Sequence, residues 1–348
     1  MKNEVMKHEN NRIKVLIVDD SMVFREVIAR SITMDQSIKV VAKATDPFDA
    51  RDKIISCNPD VMICDVEMPQ MNGIEFLRRL LPQHPLPVIV VSSISDAVFD
   101  AMNVGAVDFI PKPDIHSSIS MESFIDELIQ KVKMASRAKI SRLPVEMSKH
   151  LRSTSNVTTD LDMIAVGAST GGTEAIYNLL KHVPNDYPGF VIVQHIPEGF
   201  SRMFAERLNQ STPWRVKEAE TGDLIEPGKV LLAPGNKHMR VKKEGKQYRV
   251  ICEYGEKVNG HCPSVDILFE SVAKEVREKA IGVILTGMGY DGARGLLAMR
   301  RRGARTIGQD EKSSVVYGMP KVAFELGAVE KQAPIMKIPL LLEKIIES

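Results

Sequence analysis

The sequence predicts two α/β domains in one chain, each built on a parallel, doubly wound sheet. Three observations predict it. The chain has 348 residues, more than the roughly 100–200 of one ordinary domain. Between Lys14 and Pro113 short β-branched apolar runs alternate with amphipathic stretches, the pattern of strands covered on both faces and joined by crossover helices. A second series of the same kind opens at Met163, after a polar segment without periodicity. The expected boundaries are 1–136 for the first domain, 137–159 for a linker and 160–348 for the second domain.

In the first domain the strands are KVLIV from Lys14, IKVV from Ile38, DVMIC from Asp60, PVIVV from Pro87 and AVDFI from Ala106. Segments such as Ser21 to Thr33 and Gly73 to Leu81 are long enough for the helices between them. Five strands alternating with helices predict a parallel sheet, whose functional crevice lies beyond the carboxyl ends of its strands. Asp19 and Asp20 follow the first strand, Asp65 the third and Ser92 the fourth, with Lys112 just past the fifth. One such carboxylate is an ordinary solvated turn. Three converging carboxylates repel and call for a divalent cation, and oxygen-only ligands suit Mg²⁺. A carboxylate beside such a metal can attack a phosphoryl donor while a lysine and a hydroxyl neutralise the phosphoryl oxygens.

IVDDS, CDVEMPQMNG, VVSS and DFIPKP together resemble the receiver domain of two-component response regulators, over residues 12 to 136. The resemblance implies a flavodoxin-like fold with Asp65 as phosphoacceptor. It also implies a Mg²⁺ site made by Asp19, Asp20 and Asp65, with Glu67 adding its backbone carbonyl. Ser92 and Lys112 match the groups that sense the phosphoryl oxygens, and Phe109 the switch aromatic. Pro113 stands at the family's cis-proline position.

From Arg137 to Thr159 the chain is basic, polar and rich in Ser and Thr. It reads as a solvated linker. The alternative is a segment packed between domains that transmits a signal, anchored by Leu143 to Met147.

The second domain begins with the strand MIAVGAS from Met163, followed by the helix TGGTEAIYNLL. The junction Gly167-Ala168-Ser169-Thr170-Gly171 fits G-x-S-x-G, a sharp strand-to-helix turn that exposes a serine hydroxyl. Alone the match is weak, because small residues are common at such turns. It fails as a dinucleotide fingerprint, since Ser169 stands where the second glycine is needed, and no Gly-Lys-Ser/Thr follows to make a P-loop. The strand GFVIVQ ends at His195, where a core histidine is the commoner outcome. AIGVIL leads into TGMGYDG, a glycine-rich turn carrying Asp291. Three strand ends would bring Ser169, His195 and Asp291 to one rim. A serine needs a base to attack at neutral pH, and a histidine base needs a carboxylate to fix its tautomer and stabilise the imidazolium. Further on, HMRVKKEGKQYRVICEY predicts a hairpin around Glu244-Gly245 and SVDILFESVAKEVREK an amphipathic helix. Residues 240 to 260 offer no motif.

GASTGG, QHIP and TGMGYDG in this order resemble the catalytic domain of chemotaxis protein-glutamate methylesterases, the CheB family, and with the receiver in front the likeness covers nearly the whole chain. It implies a Rossmann-like α/β fold and a triad of Ser169, His195 and Asp291, in a chain order different from that of α/β-hydrolases. The Met288 N–H is then an oxyanion donor, and Thr170 a residue positioning substrate or histidine. The reaction implied is phosphorylation-activated hydrolysis of glutamate methyl esters, with deamidation of glutamines, on methyl-accepting chemotaxis receptors. A chemotaxis histidine kinase supplies the phosphoryl group, and ester hydrolysis needs no cofactor.

Composition sets the outer bounds. There are 46 Lys and Arg against 45 Asp and Glu, a net charge of +1, which gives no electrostatic case for nucleic acid or a membrane surface. A receiver joined to a DNA-binding domain would predict a basic second half. A non-catalytic module using GASTGG as an anion nest is the other rival, separated by assay. The four cysteines, Cys57, Cys64, Cys252 and Cys262, form no C-x-x-C pair and read as reduced thiols. A metal site at His261 and Cys262 is disfavoured for lack of further ligands. The polar start MKNEVMKHENNRIK is not a signal peptide, and no apolar run reaches the roughly 20 residues of a membrane helix. A cytoplasmic protein without membrane insertion is expected.

Overall fold

The computed structural model describes residues 12–68, 72–93, 95–113, 120–138 and 159–347. The polar N-terminal start, and Leu143 to Met147 with nearly all of the segment around them, lie outside the described residues. The chain divides into two compact units, Met1–Ile140 and Ser141–Ser348.

The first unit alternates strand and helix: β1 (Ile13–Val18), α1 (Met22–Ile32), β2 (Ile38–Ala44), α2 (Pro47–Cys57), β3 (Val61–Asp65), α3 (Gly73–Leu80), β4 (Val88–Ser92), α4 (Ser95–Asn103), β5 (Asp108–Pro111) and α5 (Met121–Ala135). The sheet order is β2-β1-β3-β4-β5 with every pairing parallel. The central strands β3 and β4 are buried at every residue, as their apolar runs predict. β2 departs from that expectation. As an edge strand it leaves Lys39 exposed and four residues half-buried. Helix starts follow from side-chain caps. Ser21 accepts the Phe24 amide and Asp46 the amides of Phe48 and Asp49, with Pro47 preset for the first turn of α2.

The second unit runs β6 (Met163–Ala168), α6 (Gly172–His182), β7 (Gly189–Gln194), α7 (Phe200–Ser211), β8 (Arg215–Glu218), β9 (Lys229–Leu232), β10 (His238–Glu244), β11 (Gln247–Glu253), α8 (Val265–Glu275), β12 (Ala280–Ile284), α9 (Ala293–Arg301), β13 (Arg305–Gln309), α10 (Met319–Glu325), β14 (Lys331–Ala333) and α11 (Ile338–Ile346). The parallel sheet has the order β14-β13-β12-β6-β7-β9-β8. Chain order reverses at β6, with β7 on one side and β12 on the other, so the crevice of a doubly wound fold opens at these three strand ends. All three strands are wholly buried. Phe190 and the single Trp214 pack edge to face at 4.8 Å, and the indole N–H donates to the Val183 carbonyl. Full burial of one such ring is worth roughly 1.5–3 kcal/mol.

β10 and β11 form the expected antiparallel hairpin, closed by Gly245-Lys246 with Gly245 at φ +62°. The helix expected over 264–279 ends at Glu275, because Arg277 takes a left-handed φ of +62° and a short 3₁₀ turn follows. All four cysteines are free, Cys64 buried and the others half-buried. The cis peptide bond found among the described residues is Cys262–Pro263, not Lys112–Pro113.

Candidate active site

Ser169 lies one residue beyond β6 and His195 one beyond β7. β6 and β7 are paired through Ala168 and Gln194, and the His195 amide donates to the Ala168 carbonyl at 3.1 Å. The two residues are thus held side by side by the last rung of a parallel ladder. The Ser169 amide donates to the Thr286 carbonyl at 3.0 Å, which ties the serine turn to the segment after β12. The chain then enters α6 through Gly171 at φ +75°, where a Cβ would stand 2.6 Å from Val315. Ser169 itself is half-buried.

His195 Nε2 lies 2.9 Å from Asp291 Oδ2. Its ring stacks on His261 with centroids 3.6 Å apart and planes at 10°. Its Nδ1 is buried and has no hydrogen-bond partner among the described residues. With Nε2–H facing the carboxylate, Nδ1 is the nitrogen left to accept a proton. The Ser169 hydroxyl makes no hydrogen bond to His195 here; such bonds are often long in unliganded sites and tighten with substrate.

Asp291 is 1% exposed and heavily partnered. Besides His195, its carboxylate accepts from the Ser264 hydroxyl at 2.8 Å, the Asn259 side-chain amide at 2.8 Å and the backbone amides of Val265 and Asp266 at 2.7 and 3.3 Å. Those amides open α8, so the carboxylate caps that helix and takes up its orphan donors. Burial pushes the Asp291 carboxyl up, but hydrogen bonding and charge from His195, with the bonds from Asn259 and Val265, outweigh it and hold the group well below the usual range. Its neighbour Asp266 goes the other way: burial, reinforced by the Asp291 charge, raises it against bonds from Gly295 and Asn259. The Asn259 amide bridges the two carboxylates, 2.8 Å from each.

Met288 is half-buried and follows Gly287, whose carbonyl accepts the amides of Gly318 and Met319 at 3.1 and 2.7 Å. Thr170 is buried, and its carbonyl accepts the Thr286 hydroxyl at 3.0 Å. Sequence reasoning missed Asn259, Ser264 and Asp266. Asn259 falls in the stretch read as featureless. Ser264 carried a helix-start signal, but its partner is a carboxylate 27 positions away. His261, weighed as a metal ligand, packs on the His195 ring.

The first unit holds a second cluster. Oxygens of Asp19, Asp20 and Asp65 lie within 4.8 Å of one another. Lys112 Nζ is 2.6 Å from Asp65 and 3.1 Å from Asp19. Burial raises the Asp19 carboxyl, with the Asp65 charge adding and Lys112 opposing. For Lys112 burial works downward, and bonds and charge from Asp65 and Asp19 prevail to raise it. All donors are oxygens and one carboxylate is exposed, so the set fits a hard divalent cation that keeps water ligands. The Glu67 carboxylate accepts the Ser92 hydroxyl at 3.0 Å and the Ser93 amide at 2.8 Å. Phe109 is buried edge-on to Phe99, with centroids 6.2 Å apart. Gly73 is forced by proximity, since a Cβ there would meet the Asp65 carbonyl at 2.5 Å.

Residues 164–342 match the family model of the CheB methylesterase and residues 15–120 that of the response regulator receiver domain. The chain is 58% identical over 335 residues to protein-glutamate methylesterase/protein-glutamine glutaminase 2 of Syntrophomonas wolfei, covering 96% of this chain and 98% of that one. It is 50% identical to the corresponding protein of Syntrophotalea carbinolica, covering 91% and 92%. The crystal structure of the Thermotoga maritima CheB methylesterase catalytic domain is similar at 36% identity and a TM-score of 0.51, over 54% of this chain and 98% of that one.

Proposed function

The chain belongs to the CheB methylesterase family, and from that premise we propose that it is a receiver-controlled serine hydrolase acting on glutamate methyl esters of chemotaxis receptors. The observation that carries the chemistry is His195: Nε2 engaged by Asp291 at 2.9 Å, Nδ1 unpartnered, and Ser169 on the adjoining strand end. Ser169 Oγ attacks the ester carbonyl as His195 Nδ1 takes its proton, and the imidazolium is stabilised by Asp291. The oxyanion is received by the Met288 N–H, with Thr170 positioning the ester. Collapse of the tetrahedral intermediate expels methanol, protonated by His195. Water, deprotonated by His195, then cleaves the acyl-enzyme and leaves a glutamate carboxylate with Ser169 restored. A glutamine substrate follows the same course with ammonia as leaving group; the relatives are named protein-glutamine glutaminases as well.

In the receiver, residues 1–136, Asp65 is assigned as phosphoacceptor; residues 137–159 are assigned as linker and 160–348 as the catalytic domain. Asp19, Asp20 and Asp65, with the Glu67 carbonyl, would hold Mg²⁺. The charge that Mg²⁺ supplies when bound offsets the carboxylates and the incoming phosphoryl oxygens. Ser92 and Lys112 then hold those oxygens, and Phe109 reports their arrival. The donor is a chemotaxis histidine kinase. No helix among the described residues is long and apolar enough to cross a membrane; a cytoplasmic enzyme is proposed. Methanol release from methylated receptor membranes is the test. A chain that binds those membranes and releases no methanol is a binding module, not an esterase.

A further inference from the structure

The side chain of Gln194 joins the two strand ends that carry the reacting groups. It is 4% exposed. Its Nε2 donates to the Ser169 carbonyl at 2.9 Å and to the His195 carbonyl at 3.0 Å. The β6–β7 ladder ends at this level, where the His195 amide meets the Ala168 carbonyl. Beyond it β6 turns away through Gly171 into α6, and no further backbone rung can form between the two chains. Gln194 supplies one more rung with its own amide. The space for it is provided by Gly172, which has an ordinary negative φ and needs no glycine for its conformation. A Cβ at Gly172 would stand 2.1 Å from Gln194 Oε1.

We infer that Gln194 is a positioning residue for ester hydrolysis, setting the spacing of the Ser169 hydroxyl and the His195 ring by tethering both main chains. The inference rests on the reading of Ser169 as nucleophile and His195 as base. Proton transfer between them requires hydrogen-bond reach, and a displacement of about 1 Å can cost about 100-fold in rate. A glutamine that merely satisfied two buried carbonyls would affect stability and leave the rate per active site unchanged.

The test uses the full chain, phosphorylated by acetyl phosphate with Mg²⁺, and methylated receptor membranes. Gln194→Met and Gln194→Glu are compared with the parent. Turnover is expressed per serine titrated by a small fluorophosphonate, and the rate of that labelling is measured separately, because it needs the serine–histidine pair and no receptor. The expected result is a fall of about 10- to 100-fold in kcat and in labelling rate, with KM within about twofold. Folded variants that keep both rates within about twofold of the parent, or that change KM alone, overturn the inference. Labelling or turnover that survives in Ser169→Ala would instead remove the nucleophile assignment, a separate failure read from a separate variant.

Discussion

The Asp291 carboxylate accepts the Val265 amide at 2.7 Å, so the group that faces His195 also caps helix α8. Ser264, in the N-cap position, makes no cap bond of its own and gives its hydroxyl to Asp291 instead. The contact to His195 and the start of a buried helix therefore share one carboxylate.

Ser264→Ala removes one hydrogen bond to a buried charge and should cost about 1.5–3 kcal/mol of catalytic-unit stability at neutral pH. Asp291 is held below the ordinary carboxyl value of 3.8 in the folded chain. Its stabilising contribution is therefore present above that value and is lost as pH falls toward the folded one. The two share one unfolded state, so the gap between parent and variant should narrow only at pH values below 3.8 where the variant's own folded carboxyl takes up its proton. Denaturant melts across pH check this, and a gap constant with pH would mean that Ser264 acts through packing.

Ser169→Ala, His195→Ala and Asp291→Ala should each lower turnover by roughly 10⁴–10⁶ and should not add when combined. Methanol release by each single and double variant, with circular dichroism to check folding, is the measurement. Near-parental turnover in Ser169→Ala would place the nucleophile elsewhere.

Asp65→Asn should abolish phosphoryl incorporation from acetyl phosphate, because the attacking oxygen is gone. Chelation of Mg²⁺ should do the same to the parent chain. Mass spectrometry of the intact protein reads both. Incorporation at the parental level in Asp65→Asn would assign the acceptor to another residue.

A fragment from Thr159 to Ser348 should demethylate receptors faster than the unphosphorylated full chain, and phosphorylation should bring the full chain to at least the fragment's rate. A modification shifts such a balance only by its differential stabilisation of two states. A fragment no faster than the unphosphorylated chain would mean that the receiver does not restrain the catalytic domain, leaving direct activation as the account.

Asp35 should contribute to receiver stability with its own pH signature. A hydrogen bond from Lys133 at 2.5 Å, supported by the Ser37 hydroxyl and amide, lowers its carboxyl from 3.8 to about 2. The contribution is present above 3.8, fades as pH falls toward 2, and is worth about 1 kcal/mol or less at this partly exposed site. Asp35→Asn should lower receiver stability at neutral pH, with the difference from the parent gone once the pH is taken well below 2. A difference that persists there would trace to altered packing at this position and not to its charge.

The first sheet and the middle of the second are legible from the chain because most of those strands are buried apolar runs, a signal that survives without any partner in view. β8, β9, β13 and β14 go unread, β8 and β14 being short and only partly buried. The same logic locates Asp19, Asp65, Ser92 and Lys112, and again Ser169 and His195, since in a parallel sheet the chemistry stands where an apolar run stops. For β2 the run misleads: an apolar stretch does not say whether its strand is central or at an edge. Asn259 escapes notice because it sits in a loop with no period, and a side chain that acts on a carboxylate 32 positions away leaves no local trace.

The two α/β units and the residues at the ends of their central strands are legible in the chain, because these depend on local periodicity and turn chemistry. What each of those residues touches is a property of the folded molecule alone. Whether His195 meets Asp291, which of its nitrogens stays free, that His261 stacks on its ring and that a Cβ at Gly172 would meet Gln194 and Ala168 follow from strand order and close packing. Those are distances between segments far apart in the chain, and burial turns them into chemistry by removing the water that would otherwise compete for every polar group.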